Sequence, residues 1–270
     1  MLVPVNWGLE AGKWQILIQP LERFSFFRAF KSVLAGCSVT MLTPNRVGEY
    51  GGRILYVKDE NRIDAIPLTI LGSISQLTIT FIGGTAGLLL LRATGEYPRL
   101  LAVLPLFAMN VMIFVSVVIG GFLLLIFFRT SLIAAFTSQF KRLNKVTVHL
   151  ESLKTFSGKQ LLRIMLLSFL RYMVFILQYV LLLKVMNVGI SAGTAFCLLT
   201  VFYLLMAIAP TIGFTELPVR VAASLTILQI YSPNVIGIQA AALGIWLFNL
   251  VVPAVAGSLF ILGLKIMKDK

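Results

Sequence analysis

The chain has 270 residues, of which 59% are hydrophobic and 12% charged, and its mean hydropathy is +0.95, which excludes a water-soluble globular fold. Twenty-three Lys and Arg stand against 10 Asp and Glu, for a formal charge of +13. These cations gather in short gaps between long apolar runs and not on a folded polar face, so they report membrane topology and exclude a nucleic-acid binder.

A hydrocarbon core about 30 Å thick needs about 20 mostly apolar helical residues. On that measure the chain is expected to be an all-α integral membrane protein, a single polytopic domain over 1–270 with about seven or eight transmembrane helices. The apolar runs are 1–19, 26–42, 66–91, 101–128, 161–185, 192–209, 213–231 and 236–264. The opening Met-Leu-Val-Pro-Val-Asn-Trp has neither a basic leader nor a small-residue cleavage site, so a removable signal is not expected. Glu10 and Lys13 interrupt the first run, while Arg28 and Lys31 open the second; either run could lie on the surface or be re-entrant.

The second run is followed by Pro44-Asn45-Arg46-Val47-Gly48-Glu49, with Arg53 four residues further on. Proline stops or starts a helix and glycine relaxes the backbone, so a break is expected here, followed by a helix carrying Glu49 and Arg53 on one face. Asp59, Glu60 and Asp64 come next, without a spacing that compels metal binding. In the third and fourth runs Gln76, Asn110 and the pair Gly83 and Gly87, spaced as Gly-xxx-Gly, read as helix-to-helix contacts.

The segment 129–160 holds Arg129, Lys141, Arg142, Lys145, Lys154 and Lys159 against Glu151 alone, and is expected to be a cytoplasmic loop. It could also attract anionic lipid headgroups. Counting alternate crossings puts the tail with Lys265, Lys268 and Lys270 on the same side, with Arg46 to Arg62, but places Arg23, Arg28 and Lys31 opposite. His149, the chain's one histidine, reads as a surface residue of this loop.

Beyond the loop, Arg171 stands ten residues into the fifth run, where a charge needs a partner or a wet cavity. Gln178 and Asn249 read as buried amides with partners across helices. Pro210-Thr211-Ile212-Gly213-Phe214-Thr215-Glu216, with Arg220 four residues on, repeats the order Pro, Gly, Glu, Arg of the first element. Here Thr215 can cap a helix that tolerates Pro218 in its first turn, with Glu216 and Arg220 at its start. Two broken or re-entrant elements of this kind resemble those that build transporter sites, since unwound backbone at membrane depth survives only inside protein or beside water. Arg220 and the positive helix end favour an anionic group such as a lipid phosphate. In the bland alternative each Glu and Arg pair neutralises itself and pins a helix start.

Three segments together, Asn6-Trp7-Gly8-Leu9-Glu10-Ala11 with Trp14, Pro44 through Arg53, and Pro210 through Arg220, resemble the membrane region of bacterial lysylphosphatidylglycerol synthases and related stand-alone flippase-like proteins. The resemblance covers nearly the whole chain. Ile212 and Phe214 replace glycine-type positions of the third segment, and relatives usually carry a hydrophobic helix ahead of the Asn-Trp segment, so the natural start is expected upstream. What the resemblance implies is a multi-pass protein of the bacterial cytoplasmic (inner) membrane. It would translocate an anionic phospholipid or a polyprenyl-linked headgroup, without the aminoacyltransferase domain.

The expected lipid-binding residues are Arg46, Glu49, Arg53, Arg171, Glu216 and Arg220, with Pro44, Gly48, Pro210, Gly213 and Pro218 forming the breaks. Neither a Gly-x-x-x-x-Gly-Lys phosphate loop, a His-Glu-x-x-His nor a Cys-x-x-Cys is present, so no cofactor, metal or catalytic residue is expected. Two alternatives remain open. One is a membrane transferase with Glu49 or Glu216 as general base. The other is a non-catalytic subunit that holds a membrane or cytoplasmic enzyme partner through the basic loop.

Overall fold

A computed structural model of the chain describes residues 2–43, 47–101, 103–130, 149–209 and 215–268, and no strand occurs among them. In chain order the helices are α1 (Val3–Ile18), α2 (Phe26–Thr40), α3 (Gly48–Ile54), α4 (Arg62–Ala93), α5 (Tyr97–Leu100) and α6 (Leu106–Phe128). They continue as α7 (Gly158–Val185), α8 (Ala192–Ile208), α9 (Glu216–Leu228), α10 (Val235–Trp246) and α11 (Val252–Lys268). A π turn, Leu247–Val251, joins the last two. Polar caps set several of the starts: the Ser25 hydroxyl accepts from the Arg28 amide, Ser191 from Thr194 and Asn234 from Gly237, while Ser157 and Gln160 form a capping box.

Among the described residues four helical stretches are long and apolar enough to cross a membrane: Asp59–Ala93, Leu106–Phe128, Gly158–Val185 and Val235–Leu264. Helix α6 has a mean hydropathy of 3.0 and turns most of its surface outward, with Phe107 80% exposed; in water this would be untenable, and facing lipid it is favourable. By contrast, α1, α2 and α9 have 16, 15 and 13 residues and are too short to cross alone.

What the short helices do is fixed by contacts at the two ends of the molecule. At one end Glu22 pairs with Arg28 at 3.0 Å and accepts from the Lys58 amide at 3.4 Å, Arg28 donates to the Tyr56 carbonyl, and His149 meets Asp64 at 2.5 Å. The Tyr56 hydroxyl also donates to the carbonyl of Phe260 in α11 at 3.0 Å. At the opposite end Asn234 donates to the carbonyls of Met186 and Asn187 at 2.9 and 3.2 Å, and the Tyr231 hydroxyl to that of Glu96 at 3.1 Å.

It follows that α2 and α3 leave and return to the first end, where α4 starts, while α8 and α9 leave and return to the second, where α4 finishes. They are two re-entrant hairpins inserted from opposite ends. The run 26–42 is therefore one arm of a hairpin, and the runs 192–209 and 213–231 are the two arms of another. Simple alternation put Arg23, Arg28 and Lys31 opposite to Arg62; the structure instead sets Arg28 beside Tyr56, because the chain folds back between them.

Close approaches hold the hairpins in place. A Cβ at Gly87 would lie 1.7 Å from the Thr200 hydroxyl and one at Gly83 2.5 Å from the Tyr172 ring, so the Gly-xxx-Gly face of α4 receives α8 and α7. A Cβ at Gly257 of α11 would lie 1.9 Å from the Leu34 carbonyl oxygen of α2. Gly48, at the tip of the first hairpin, donates its amide to the Thr43 hydroxyl at 2.7 Å, and a side chain there would strike Val39.

Candidate functional site

Helix α1 presents Asn6, Glu10 and Lys13 at intervals of four and three, which puts them on one face. All three are buried, and they are the hub of an ionic cluster. The Glu10 carboxylate meets Arg53 at 2.5 Å, Lys13 at 2.8 Å and Arg171 at 2.9 Å. Arg53 also pairs with Glu49 one turn earlier on α3, and Lys13 donates to the Gly72 carbonyl of α4 at 3.3 Å. Charges at this depth persist because each has a partner of opposite sign.

A second line of bonds reaches the cluster from α11's side of the bundle. Asn249 sits in the π turn, where the extra residue turns its amide inward; it accepts from the Asn6 amide at 2.8 Å, and Asn6 accepts from Arg171 Nε at 3.1 Å. The Arg171 guanidinium lies 5.3 Å from the Trp7 ring centroid and 5.2 Å from that of Phe175, so two aromatic faces fix its plane.

In the second hairpin Thr215 occupies the N-cap position of α9 and Pro218 the third residue of that helix, which the first turn tolerates. Glu216 and Arg220 pair at 2.5 Å, both buried, with Arg220 5.7 Å from the Phe202 ring. The Ser224 hydroxyl donates to the Arg220 carbonyl at 2.7 Å and bonds the Tyr179 hydroxyl at 2.6 Å, which ties α9 to α7.

Both hairpins open on one cavity of about 480 Å³, within the usual size of a small-molecule site. Glu10, Lys13, Glu49, Arg171, Glu216 and Arg220 line it. A smaller void of about 60 Å³ adjoins and shares Glu49, Arg171, Phe175, Glu216 and Arg220 with it. Around this space four cations, Lys13, Arg53, Arg171 and Arg220, stand against three carboxylates, Glu10, Glu49 and Glu216. Among the described residues the site thus carries one positive charge in excess.

Of the residues singled out from the sequence, the structure brings Glu49, Arg171, Glu216 and Arg220 to the cavity wall. Arg53 is placed behind them, clamped between Glu10 and Glu49 and only 2% exposed. Gly48 makes the tight hairpin tip and Pro218 the first turn of α9. Pro44, Arg46, Pro210 and Gly213 lie outside the described residues, as do 131–148 of the basic loop. Sequence reasoning took Glu10 and Lys13 as interruptions of a span, while Asn249, expected to be a buried amide with a partner across helices, has that partner in Asn6. The signal was available in two charges within an apolar run, spaced one helical turn apart. Among the described residues no group of three or more His, Cys, Asp or Glu is placed to hold a metal ion.

The chain belongs to the family described as the lysylphosphatidylglycerol synthase TM region, whose match covers residues 1–262. Comparison with curated proteins and with solved structures gave no match. The family and the four long apolar helices together make this a multi-pass membrane protein.

Proposed function

We propose that this protein translocates an anionic lipid between leaflets of the bacterial cytoplasmic membrane, taking the phosphate into the cavity between the two hairpins. The observation that carries the reading is the opposed pair of hairpins, the first presenting Glu49 and the second the Glu216 and Arg220 pair to one cavity, around which the cations exceed the carboxylates by one. A phosphate entering there neutralises the surplus, while Arg171 and Arg220 offer planar donors suited to its oxygens. Broken helices that meet at mid-depth from opposite faces are how many transporters expose one site alternately to two sides.

The name of the family ties its members to lipid processing, which supports a lipid as the cargo. Lys58, Arg62 and Lys154 stand at the end to which α11 also runs. The positive-inside rule makes that end cytoplasmic, and with it the 129–160 loop and the C-terminus.

The test is a flip assay in vesicles with a fluorescent anionic phospholipid, comparing the parent with Glu216→Gln and Arg220→Ala. The parent should move the lipid well above the protein-free rate, with both variants slowed at least tenfold. Equal rates for all three proteins and for empty vesicles would sink the proposal.

A further inference from the structure

The surplus charge around the cavity traces to one carboxylate. Arg53 is matched by Glu49 and Arg220 by Glu216, which among the described residues leaves Glu10 to serve both Lys13 and Arg171. Both of these cations converge on the same oxygen. Lys13 Nζ lies 2.8 Å and Arg171 Nη1 2.9 Å from Glu10 Oε2, while Arg53 takes Oε1 at 2.5 Å. Two like charges drawn to one buried atom repel each other where little water screens them.

Only one of the two can yield. A guanidinium keeps its proton in proteins, whereas a buried lysine gives its own up readily. The oxygens around Lys13 fit this difference: Nζ has the Glu10 carboxylate at 2.8 Å and the Gly72 carbonyl at 3.3 Å. Among the described residues these match the two N–H groups of a neutral amine and fall one short of the three of an ammonium. On its other sides, α2 brings Ser32 against Trp14 of α1, and α4 brings no ionisable side chain to the cavity wall. Glu49, Tyr50, Tyr172, Tyr203, Glu216 and Arg220 line the space it shares. With Lys13 neutral, Arg53, Arg171 and Arg220 balance Glu10, Glu49 and Glu216. The surplus of one exists only while Lys13 holds its proton.

We infer that Lys13 couples lipid movement to a proton: its amine is neutral while the cavity is empty and takes up one proton when a lipid phosphate enters. This rests on the lipid reading above and adds its energy source. The proton leaves hydronium on the side to which the cavity is open, an N–H bond forms at Lys13 Nζ, and both steps reverse when the lipid departs. A singly charged phosphodiester and one proton thus enter and leave together, and the site is neutral both empty and loaded. A pH gradient, and not the membrane potential, then drives the lipid.

The test titrates the full chain in detergent with dioctanoyl phosphatidylglycerol between about pH 6 and pH 9, where the phosphodiester keeps its one charge. Calorimetry in buffers of different ionisation enthalpy counts the protons bound with the lipid. The parent should take up close to one proton per lipid, and its affinity should fall by up to about tenfold per pH unit as pH rises. Lys13→Met removes the surplus cation and leaves no carboxylate unpaired, so it keeps the fold; it should bind weakly at every pH, with no proton uptake. Lys13→Arg carries a fixed charge and should bind tightly, also without uptake.

A parent affinity that is level with pH would overturn the coupling. So would proton uptake that persists in Lys13→Met, which would assign the proton to Glu10, Glu49 or Glu216. In either case lipid binding that Arg220→Ala weakens would leave the lipid reading standing. Failure of every protein to bind the lipid at any pH would remove both readings.

Discussion

Glu10 and Arg53 stand 43 positions apart in the chain and 2.5 Å apart in the bundle, and each is at most 2% exposed. Their contact joins α1 to the returning arm of the first hairpin. Because Glu10 also holds Lys13 and Arg171, it compensates cations from three helices.

Replacing Glu10 by Gln therefore takes the carboxylate from Lys13 and Arg171 and leaves Arg53 with Glu49 alone, in a medium with little water. Breaking a buried pair from one side costs about 3–5 kcal/mol, since the remaining charge is uncompensated. Glu10→Gln should lower the thermal midpoint in detergent by far more than Asp59→Asn, whose partner Arg62 lies at the surface and whose own side chain is 75% exposed. Similar midpoints for the two variants would show that the cluster is solvated in the folded protein.

The hairpin topology makes a labelling prediction. In a background with Cys37 and Cys197 replaced, single cysteines at Arg23 and Lys58 should react with a membrane-impermeant maleimide from the same side. Cysteines at Gly189 and Arg99 should react from the other side. All four residues are exposed, and a Cβ at Gly189 meets nothing within 4 Å. Labelling of Arg23→Cys and Lys58→Cys from opposite sides would restore the simple alternation of crossings and remove the first hairpin.

How much of this was legible beforehand depends on which property a residue expresses. Composition alone identifies the membrane bundle, and the order Pro, Gly, Glu, Arg picks out both breaks, because local backbone chemistry is written in local sequence. The direction in which each break folds back is not local. Residues 26–40 are apolar enough to suggest a crossing, and only the contacts of Glu22, Arg28 and Tyr56 reveal that the chain returns. Glu10 reads from sequence only as an interruption for the same reason: its three partners lie on α1, α3 and α7, and its place in a cluster shows once they are in view. Arg53 shows the converse, since its spacing from Glu49 located the pair correctly but gave no sign that a second carboxylate would cover it.

Tight helix crossings supply a prediction that separates backbone collision from side-chain collision. A methyl at Gly257 would lie 1.9 Å from the Leu34 carbonyl oxygen, so α11 and α2 would have to part. Overpacking of this kind typically costs about 1–3 kcal/mol, and here it also shifts the helix that carries the first hairpin. Gly12→Ala is the control, because nothing lies within 4 Å of the added carbon, and a helix gains roughly 1 kcal/mol from that exchange. Gly257→Ala should lower the thermal midpoint and Gly12→Ala should hold or raise it. The opposite order would mean that α11 does not press on α2.

The excess positive charge can be removed without touching any of the four cations. Asn249→Asp keeps an acceptor for the Asn6 amide, at 2.8 Å in the parent, and adds a fourth carboxylate beside the void that Arg171 and Arg220 line. Four cations then face four carboxylates, and an incoming phosphate no longer neutralises a surplus. Affinity for an anionic lipid should fall by tenfold or more, since one partly buried charge contributes a few kcal/mol at an effective dielectric near 20. Asn249→Leu keeps the charge but loses the bond that orients Asn6 and, through it, Arg171; its affinity should fall less and should remain sensitive to salt. The measurement is a titration of both variants with dioctanoyl phosphatidylglycerol at low and high salt. If Asn249→Asp bound as tightly as the parent, the surplus charge would not be what draws the lipid, and orientation of the Arg171 and Arg220 guanidinium groups would have to account for binding by itself.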